Sequence, residues 1–326
     1  MTRPMFPAKV PEDAKPALSY SSVRTLHDCE RRWALTNLTD DLPKDEFWDA
    51  LVEKTLMPVN MLPGSILHDT IDWAMRQRVD TGIFPTDLVG KASGLLSAYE
   101  GFSVEWANRQ KNRQPWAKSP GLRPVDEVYH AGGLRDDYKD HVIADLTRWL
   151  RTFEHYIDKT EIASAPIADW RLPYKGGVAW FWADDVPVYA SYDFAMKSPD
   201  AGMRIYDWKT GKRERAEESV EDQLEFYAAW AHLGWEFPLR EVECVAVWLD
   251  DGSDSEFMIS EARLAALVER WGELHEDLQC RINGVNKCKS DLKPLFPMTS
   301  DLMRCHWCPF RSCEGRNRLE ALGQGL

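Results

Sequence analysis

Two carboxylates and a lysine fall on neighbouring strand-like segments in the middle of the chain. Asp193 lies in VYASYDFAMK, and Asp207 and Lys209 lie two residues apart in IYDWKTGK. Side chains at positions i and i+2 of a strand point to the same face, and antiparallel pairing of the two strands would bring Asp193 beside Asp207. Two carboxylates in one pocket require a cation or a proton, and their oxygens suit Mg²⁺ or Mn²⁺. We therefore predict a divalent-metal site in which Lys209 orients or activates an attacking water and stabilises charge on a phosphate.

A histidine and a glutamine–tyrosine pair lie on segments with helical periodicity. His68 ends GSILH in an amphipathic helix, and Gln223 and Tyr227 lie one helical turn apart in QLEFY. Taken alone, each residue has an ordinary explanation. A helix histidine is usually hydrogen-bonded or exposed, a glutamine usually lies on the surface, and a tyrosine usually packs in the core. An aspartate near a strand end is likewise usually a turn or solvent-facing residue. Only the combination of these motifs favours a functional site.

A cysteine cluster occupies the C-terminal segment. The sequence RCHWCPFRSC holds three cysteines in a C-x2-C-x4-C pattern, namely Cys305, Cys308 and Cys313. Three thiolates at this spacing indicate a metal centre, which needs a fourth ligand whether it binds zinc or an iron–sulphur cluster. The candidates for that ligand are Cys29, Cys280, Cys288 and His306. Local spacing favours Cys288, which would complete a zinc ribbon, whereas Cys244 in ECVAVWL is predicted to be a buried core residue.

Length and composition exclude several classes of protein. The chain has 326 residues, of which 44% are hydrophobic, and this excludes an intrinsically disordered protein. No apolar run approaches the roughly 18 residues of a membrane span, and the N-terminal MTRPMFPAKVPEDAK does not resemble a signal peptide. We therefore expect a cytoplasmic or otherwise intracellular protein, in which seven cysteines indicate free thiols or metal ligands rather than disulfides.

The net charge argues against a protein that coats nucleic acid through bulk charge, because it is −13. Phosphate contact needs only a local basic groove, and four basic segments are present: Arg31–Arg32, Arg109–Arg113, Lys209–Arg215 and Arg304–Arg318. Most of these are expected to be solvated faces, and one or two to line a DNA groove. Trp33, Trp307 and Phe310 are candidates for stacking on bases of a single strand, although core packing is the commoner role of an aromatic side chain.

The hydrophobic periodicity changes from helical to strand-like near residue 160. The predicted helices cover residues 19–38, 64–78, 86–108, 137–157, 217–232 and 260–281, with an extended arm before the first and a polar connection at 39–63. Consecutive strands are predicted between residues 162 and 210 as a meander, followed by a strand at 241–249. This order predicts an α/β fold.

In order and spacing, GSILH, YDFAMK, DWKTGK and QLEFY resemble the successive motifs of the RecB-like branch of the PD-(D/E)XK nucleases. The resemblance implies a metal-dependent phosphodiesterase acting on DNA, with a central mixed sheet flanked by helices. His68 would match the family's helical histidine, a further ligand of the Mg²⁺ or Mn²⁺ ion. Asp193 would match its first strand carboxylate, and Asp207 and Lys209 its acid-x-lysine pair.

The helical pair would match the Q-x-x-x-Y motif that faces DNA near the active site, so the resemblance gives Gln223 and Tyr227 a DNA-positioning role. It also extends to SYSSVRTLHDCERRW, which resembles the opening of iron–sulphur members such as the CRISPR-associated exonucleases. In those proteins one N-terminal cysteine joins three at the C-terminus. By this resemblance the fourth ligand is Cys29 and the centre is a 4Fe–4S cluster, with Zn²⁺ as the alternative.

These observations predict one integrated protein with four segments: an extended arm (1–18), a mostly helical region (19–160), a nuclease α/β core (161–282) and a cysteine-rich C-terminal segment (283–326). The predicted function is a metal-dependent DNA exonuclease acting on DNA ends or single strands, with a recombination or replication protein as a candidate partner. One alternative is a catalytically silent DNA-binding or recombination-partner protein on the same fold. Another is a zinc-ribbon interaction protein in which the acidic motifs are coincidental. The absence of a Walker motif argues against an ATP-driven helicase.

Overall fold

The computed structural model describes residues 15–42, 44–112, 121–173, 179–198, 202–213, 217–288 and 292–321. Residues 1–14 of the predicted arm, and residues 113 and 214–215 of two basic segments, lie outside this part. The strands are β1 (Leu18–Ser19), β2 (Trp170–Arg171), β3 (Ala179–Ala183), β4 (Val186–Ala190), β5 (Phe194–Met196), β6 (Met203–Lys209), β7 (Val242–Trp248) and β8 (Ser253–Phe257). The helices are α1 (Tyr20–Asp28), α2 (Glu30–Asn37), α3 (Lys44–Glu53), α4 (Leu62–Thr81), α5 (Leu88–Lys111), α6 (Asp126–Ala131), α7 (Asp136–Lys159), α8 (Glu217–Ala229), α9 (Glu261–Cys288), α10 (Leu292–Leu295), α11 (Met303–His306) and α12 (Glu314–Ala321).

The chain divides into two compact units. The sheet unit comprises Met1–Tyr20, Pro63–Leu96 and Asp136–Glu273, and the cysteine unit comprises Ser21–Leu62, Ser97–Arg135 and Leu274–Leu326. Within the described ranges, no helix combines the length and the apolar character that crossing a membrane requires.

A five-stranded mixed sheet forms the centre of the sheet unit. Its strand order is β2-β5-β6-β7-β8, with β6 and β7 parallel and the other pairs antiparallel. Every residue of β7 is buried, as expected of a central strand covered on both faces. The predicted α/β class, a central mixed sheet flanked by helices, is confirmed.

The predicted meander is wrong in one respect, because β4 and β5 belong to different sheets. A second sheet has the order β1-β4-β3, with β1 parallel to β4. The chain leaves β4 at residues 191–193, where the ring of Tyr192 is buried against Trp230 with centroids 4.5 Å apart. The backbone leaves this second sheet here, before β5 begins beside β6.

The two faces of β6 have different functions in the fold. Tyr206 and Trp208 stack on one face, with ring centroids 5.9 Å apart, and Phe153 of α7 packs edge-on against Trp208 at 5.2 Å. Helix α7 therefore buries its apolar stripe on this side of the sheet. Because side chains alternate along a strand, Asp207 and Lys209 lie on the other face.

The cysteine unit is built from short helices around aromatic packing. Val52, Leu56 and Trp106 form a buried cluster, and Trp33 stacks on Phe296 with centroids 5.6 Å apart. Helix α3 lies in the segment that the sequence predicts as a connection. The prolines on both sides of this segment suggested a loop, yet its helix buries Ala50 and Val52.

The predicted helix over residues 19–38 is broken at Cys29. This residue is the N-cap of α2 and has an extended backbone, with φ −166° and ψ 109°. The predicted first strand over residues 162–174 is also mostly absent from its described part, because two short 3-10 turns precede β2. Pro166 caps the second of these turns and has no N–H to donate to a sheet.

Candidate active site

The antiparallel register between β5 and β6 places the two predicted carboxylates side by side. Phe194 pairs with Tyr206, and extension of this register by one residue sets Asp193 opposite Asp207. The Asp193 carboxylate accepts a hydrogen bond from the backbone N–H of Trp208, with Oδ2 2.8 Å from the nitrogen. The strand that carries Asp207 and Lys209 therefore also fixes the position of Asp193.

His68 reaches the same carboxylate from helix α4. Its Nδ1 lies 2.9 Å from Oδ1 of Asp193, and 38% of the histidine side chain is exposed. Its helix is buried through Ile66, Leu67 and Ile71, which explains why the polar histidine stands at the edge of an apolar stripe. The structure thus brings together all three predicted metal ligands, His68, Asp193 and Asp207, in one unit.

The glutamine–tyrosine pair of α8 continues the network from Lys209. The Lys209 ammonium forms an ion pair with Oδ2 of Asp207 and donates a hydrogen bond to Oε1 of Gln223 at 2.6 Å. Nε2 of Gln223 in turn donates to the hydroxyl of Tyr227 at 2.5 Å. That hydroxyl lies 2.8 Å from the carbonyl oxygen of Ser191 and 3.2 Å from Oδ1 of Asp207, and can donate to either.

Tyr227 is only 2% exposed, so its contacts are with the site and not with solvent. Any effect of this residue on DNA would have to pass through its neighbours, of which Gln223 is half-buried. The DNA-positioning role of the pair stays a prediction.

The pKa values of the two carboxylates shift in opposite directions. Burial raises the pKa of Asp207, which is 2% exposed, and Asp193 raises it further against the opposing effect of Lys209. Burial also acts to raise the pKa of Asp193, but His68 and the Trp208 N–H outweigh it and hold that pKa below its ordinary value. Burial acts to lower the pKa of His68, and Asp193 outweighs this effect and raises it. Asp207 is therefore the carboxylate that most needs a cation.

The chemistry of these side chains fits a hard divalent cation. Oδ2 of Asp207 is buried and, apart from its ion pair with Lys209, has no hydrogen bond of ordinary geometry among the described residues. In the described part of the chain, no three His, Cys, Asp or Glu side chains are arranged as ligands of one ion. His68 and Lys209 instead contact the two carboxylates. The predicted ligand role of His68, Asp193 and Asp207 stays a prediction.

The four predicted cluster ligands line one small cavity in the cysteine unit. Cys29, Cys305, Cys308 and Cys313 surround a space of about 10 Å³, together with Met298 and Phe310. Backbone approach is close here, because a Cβ on Gly315 would lie 2.7 Å from Sγ of Cys305. The break at Cys29 between α1 and α2 places this distant thiol beside the three C-terminal ones.

Burial favours the protonated form of three thiols in this cavity. Burial raises the pKa of Cys308 to about 12 and, with the neighbouring thiols, raises the pKa values of Cys305 and Cys313. Thiolates are ligands of soft metal ions, and a bound metal would supply the charge that deprotonates these thiols. Because no three of them are arranged as ligands of one ion among the described residues, the metal centre stays a prediction.

The other candidates for the fourth ligand do not line this cavity among the described side chains. Cys280 is exposed, and the side chain of Cys288 lies outside the described part. His306 packs edge-on against Trp307, with ring centroids 4.6 Å apart. Cys244 is fully buried in β7, so its predicted place in the core is confirmed.

Sequence reasoning did not identify the backbone groups that shape the site. The backbone N–H of Trp208 binds Asp193, and the backbone carbonyl of Ser191 accepts a hydrogen bond from Tyr227. Because every residue has such backbone groups, the residue types do not reveal these contacts. Gly315 at the cysteine cavity carries a weak signal, since a glycine two residues after a ligand cysteine suggests close packing.

The fold and the site together define an α/β protein whose central sheet carries a carboxylate–lysine centre suited to a divalent cation. The family model of the PD-(D/E)XK nuclease superfamily matches residues 17–313. The chain therefore belongs to the PD-(D/E)XK nuclease superfamily, and this membership supports a metal-dependent nuclease that uses ions such as Mg²⁺ or Mn²⁺. No curated protein matches the chain.

Proposed function

We propose that this protein is a metal-dependent DNA exonuclease of the RecB-like branch, acting on DNA ends or single strands. The observation that carries the proposal is the buried Asp207 carboxylate, which stands beside Asp193 and shares a strand face with Lys209. A carboxylate in this position has a raised pKa, and a divalent cation relieves that cost while neutralising a phosphate.

In the proposed site, Asp193, Asp207 and His68 hold Mg²⁺ or Mn²⁺. When bound, the ion lowers the pKa of water and neutralises charge on the scissile phosphate. Hydrolysis forms a bond between the water oxygen and phosphorus, breaks the bond to the leaving oxygen, and transfers a proton to that oxygen.

Lys209 is the residue through which the protein itself acts on the phosphate. Its ammonium is held between Asp207 and Gln223, so it is oriented before substrate arrives. A preorganised cation of this kind stabilises negative charge that develops on the phosphate oxygens. Gln223 and Tyr227 act as positioning residues, because their hydrogen bonds fix both the ammonium and Asp207.

A cleavage assay with end-labelled single-stranded, double-stranded and circular single-stranded DNA tests the proposal, with Mg²⁺, Mn²⁺ or EDTA. We expect metal-dependent release of short products from linear DNA and intact circles. Asp207→Ala and Lys209→Ala should each abolish cleavage, while the control variants Asp185→Ala and Lys159→Ala, at exposed positions, retain it. Undiminished cleavage by the Asp207→Ala protein would refute the site assignment.

The rival function is a catalytically silent DNA-binding or recombination-partner protein on the same fold. Metal-independent DNA binding without cleavage of any of these substrates would favour it. The ion pair of Lys209 with a buried carboxylate argues for the nuclease, because a DNA-binding surface gains nothing from burying both charges.

We also propose that a metal centre stabilises the cysteine unit and is bound by Cys29, Cys305, Cys308 and Cys313. By resemblance it is a 4Fe–4S cluster, and the alternative is a single Zn²⁺ ion. Protein purified without oxygen should be brown and contain equal iron and sulphide if the cluster is present, and colourless with zinc if it is not. Cys29→Ser should lose the metal, and Cys280→Ser, at an exposed cysteine, should keep it. Metal retention by the Cys29→Ser protein would refute the ligand set.

A further inference from the structure

Of the three aromatic residues that the sequence offers for base stacking, the structure leaves one available. Trp33 and Phe310 are each 1% exposed and belong to the core, whereas Trp307 is 56% exposed. Trp307 lines a cavity of about 330 Å³ in the cysteine unit. Its other walls include His130, His306, Arg311, Arg316 and Asp126.

We propose that this cavity binds one nucleotide of single-stranded DNA, with the base stacked on Trp307 and a phosphate on Arg311. The proposal rests on the proposed function, because a nuclease of single strands or ends must hold DNA away from the reacting phosphate as well as at it. Exposed aromatic rings beside a cation are the elements by which proteins hold single strands without reading their sequence.

Arg311 is the cation suited to the phosphate. Its guanidinium makes no hydrogen bond and no ion pair within 4.0 Å to any described residue. Arg316, in contrast, already donates to the carbonyl oxygens of Cys305 and His306, at 3.1 and 2.7 Å. Arg316 therefore builds the wall. Arg311 acts on the carboxylate of Asp126 through its charge, without a hydrogen bond between the two described side chains, so its N–H donors can bind a ligand.

Positive charge reaches this cavity although the chain as a whole is acidic. Burial lowers the pKa of His130 to about 4, and Arg311, Lys111 and Arg316 lower it further. Burial is the larger cause, and the three basic side chains act in the same direction. Asp126 and Glu127 are the carboxylates in the lining, and Oδ1 of Asp126 accepts the backbone N–H groups of Val59 and Glu127.

The cavity has the size and rigidity of a ligand site. Its volume lies at the lower end of the range of about 300–1,000 Å³ that is typical of small-molecule sites. The hydrogen bonds of Asp126 and Arg316 fix opposite parts of its wall to backbone atoms. A preformed wall lowers the entropy that is lost when a flexible single strand binds.

The test is fluorescence anisotropy of the full chain, without added Mg²⁺ or Mn²⁺, using a labelled dT12, an abasic 12-mer and a 12-bp duplex. Trp307→Ala should weaken binding of dT12 by about 5- to 150-fold and leave binding of the abasic strand unchanged. Trp307→Phe should retain most of the affinity. Trp182→Ala is the matched control, because Trp182 is 44% exposed and lies outside the cavity.

Salt dependence separates the role of Arg311 from that of the ring. Arg311→Gln should reduce the slope of log K against log salt by about 0.7, the value for one phosphate contact on a single strand. Arg318→Gln, at an exposed arginine outside the lining, should leave the slope unchanged. Circular dichroism and metal content of each variant report whether the neighbouring cysteine cavity is intact.

Equal loss of affinity for dT12 and the abasic strand in Trp307→Ala, or no loss for either, would overturn the nucleotide site and leave a protein partner as the ligand of Trp307. If that variant does not fold, the wild-type protein decides, because it must bind dT12 at least about 5-fold more tightly than the abasic strand. If metal-dependent cleavage is intact and substitution of Trp307 does not change DNA binding, the nucleotide site is refuted and the proposed function stands. Absence of both cleavage and DNA binding refutes the subsite together with the proposed function.

Discussion

Replacement of Tyr227 by phenylalanine separates positioning from packing at the active site. The substitution keeps the buried ring and removes one hydroxyl, which lies 2.5 Å from Nε2 of Gln223, 2.8 Å from the Ser191 carbonyl and 3.2 Å from Oδ1 of Asp207. Ser191 is exposed and Gln223 half-buried, so water can replace part of what is lost. A hydrogen bond of this kind contributes about 0.5–1.5 kcal/mol, and we expect the free energy of unfolding to fall by about 1–2 kcal/mol.

Catalysis should fall by more than this loss of stability explains. Without the tyrosine hydroxyl, the Gln223 amide is free to rotate, and its Oε1 no longer fixes the Lys209 ammonium. Misplacement of a catalytic group by about 1 Å costs up to about 100-fold in rate. We therefore expect kcat to fall by about 10- to 100-fold, which corresponds to about 1.4–2.7 kcal/mol of transition-state stabilisation.

Tyr156→Phe is the matched control in the same unit. Its hydroxyl donates to Oδ2 of Asp254 at 2.8 Å and touches no residue of the proposed site. Urea denaturation should show similar losses of stability in both variants, and a cleavage assay with excess Mg²⁺ should show a rate defect only in Tyr227→Phe. Equal rates in the two variants would refute the inference that Tyr227 positions Lys209.

Three further perturbations test other parts of the structure. Gly315→Ala should destabilise the protein by about 1–3 kcal/mol and lower its metal content, because the new Cβ would lie 2.5 Å from Sδ of Met298. Gly272→Ala, on a helix with open space around it, should instead stabilise by up to about 1 kcal/mol, and chemical denaturation compares the two. Burial raises the pKa of the Glu53 carboxyl above its ordinary 4.5, so ionisation of this group should cost stability as pH rises above that value. Denaturation between pH 4 and 8 should therefore show that the stability of Glu53→Gln, relative to wild type, increases with pH. A stability difference that stays constant over this range would contradict the raised pKa. His68→Ala should reduce cleavage more with Mn²⁺ than with Mg²⁺, since imidazole binds Mn²⁺ better, and parallel rate measurements with each ion check this.

Those features of the fold and site that depend on short sequence spacing could be predicted. Asp207 and Lys209 share a face because strand side chains alternate, and this property needs no tertiary information. Gln223 and Tyr227 share a helix face for the corresponding reason. The mixed α/β class follows from the change of periodicity near residue 160 and agrees with the observed sheet.

Features that depend on distant packing could not be predicted. The break at Cys29 interrupts a continuous helical pattern in the sequence. In the structure, Cys29 lines the same cavity as three cysteines from the C-terminal segment. The transfer of the chain from one sheet to the other depends on the stacking of Tyr192 on Trp230, which lie 38 residues apart in sequence. The burial of Tyr227 likewise depends on distant packing, because its hydroxyl lies 3.2 Å from Oδ1 of Asp207, which is 20 residues away in sequence.

The central strand β6 links the parts of the active site more closely than their separation in sequence suggests. Its residues 207 and 209 supply a carboxylate and the ammonium, and the N–H of the intervening Trp208 holds the carboxylate of Asp193. The ring of Trp208 is in turn held on the opposite face by Phe153. One short segment of backbone positions all three charged groups. The packing of the apolar stripe of helix α7 on the far side of the sheet therefore supports the geometry of the proposed site. The burial of the Trp208 ring on one face and the fixed position of the Asp207 carboxylate on the other therefore both follow from the alternation of side chains along the strand.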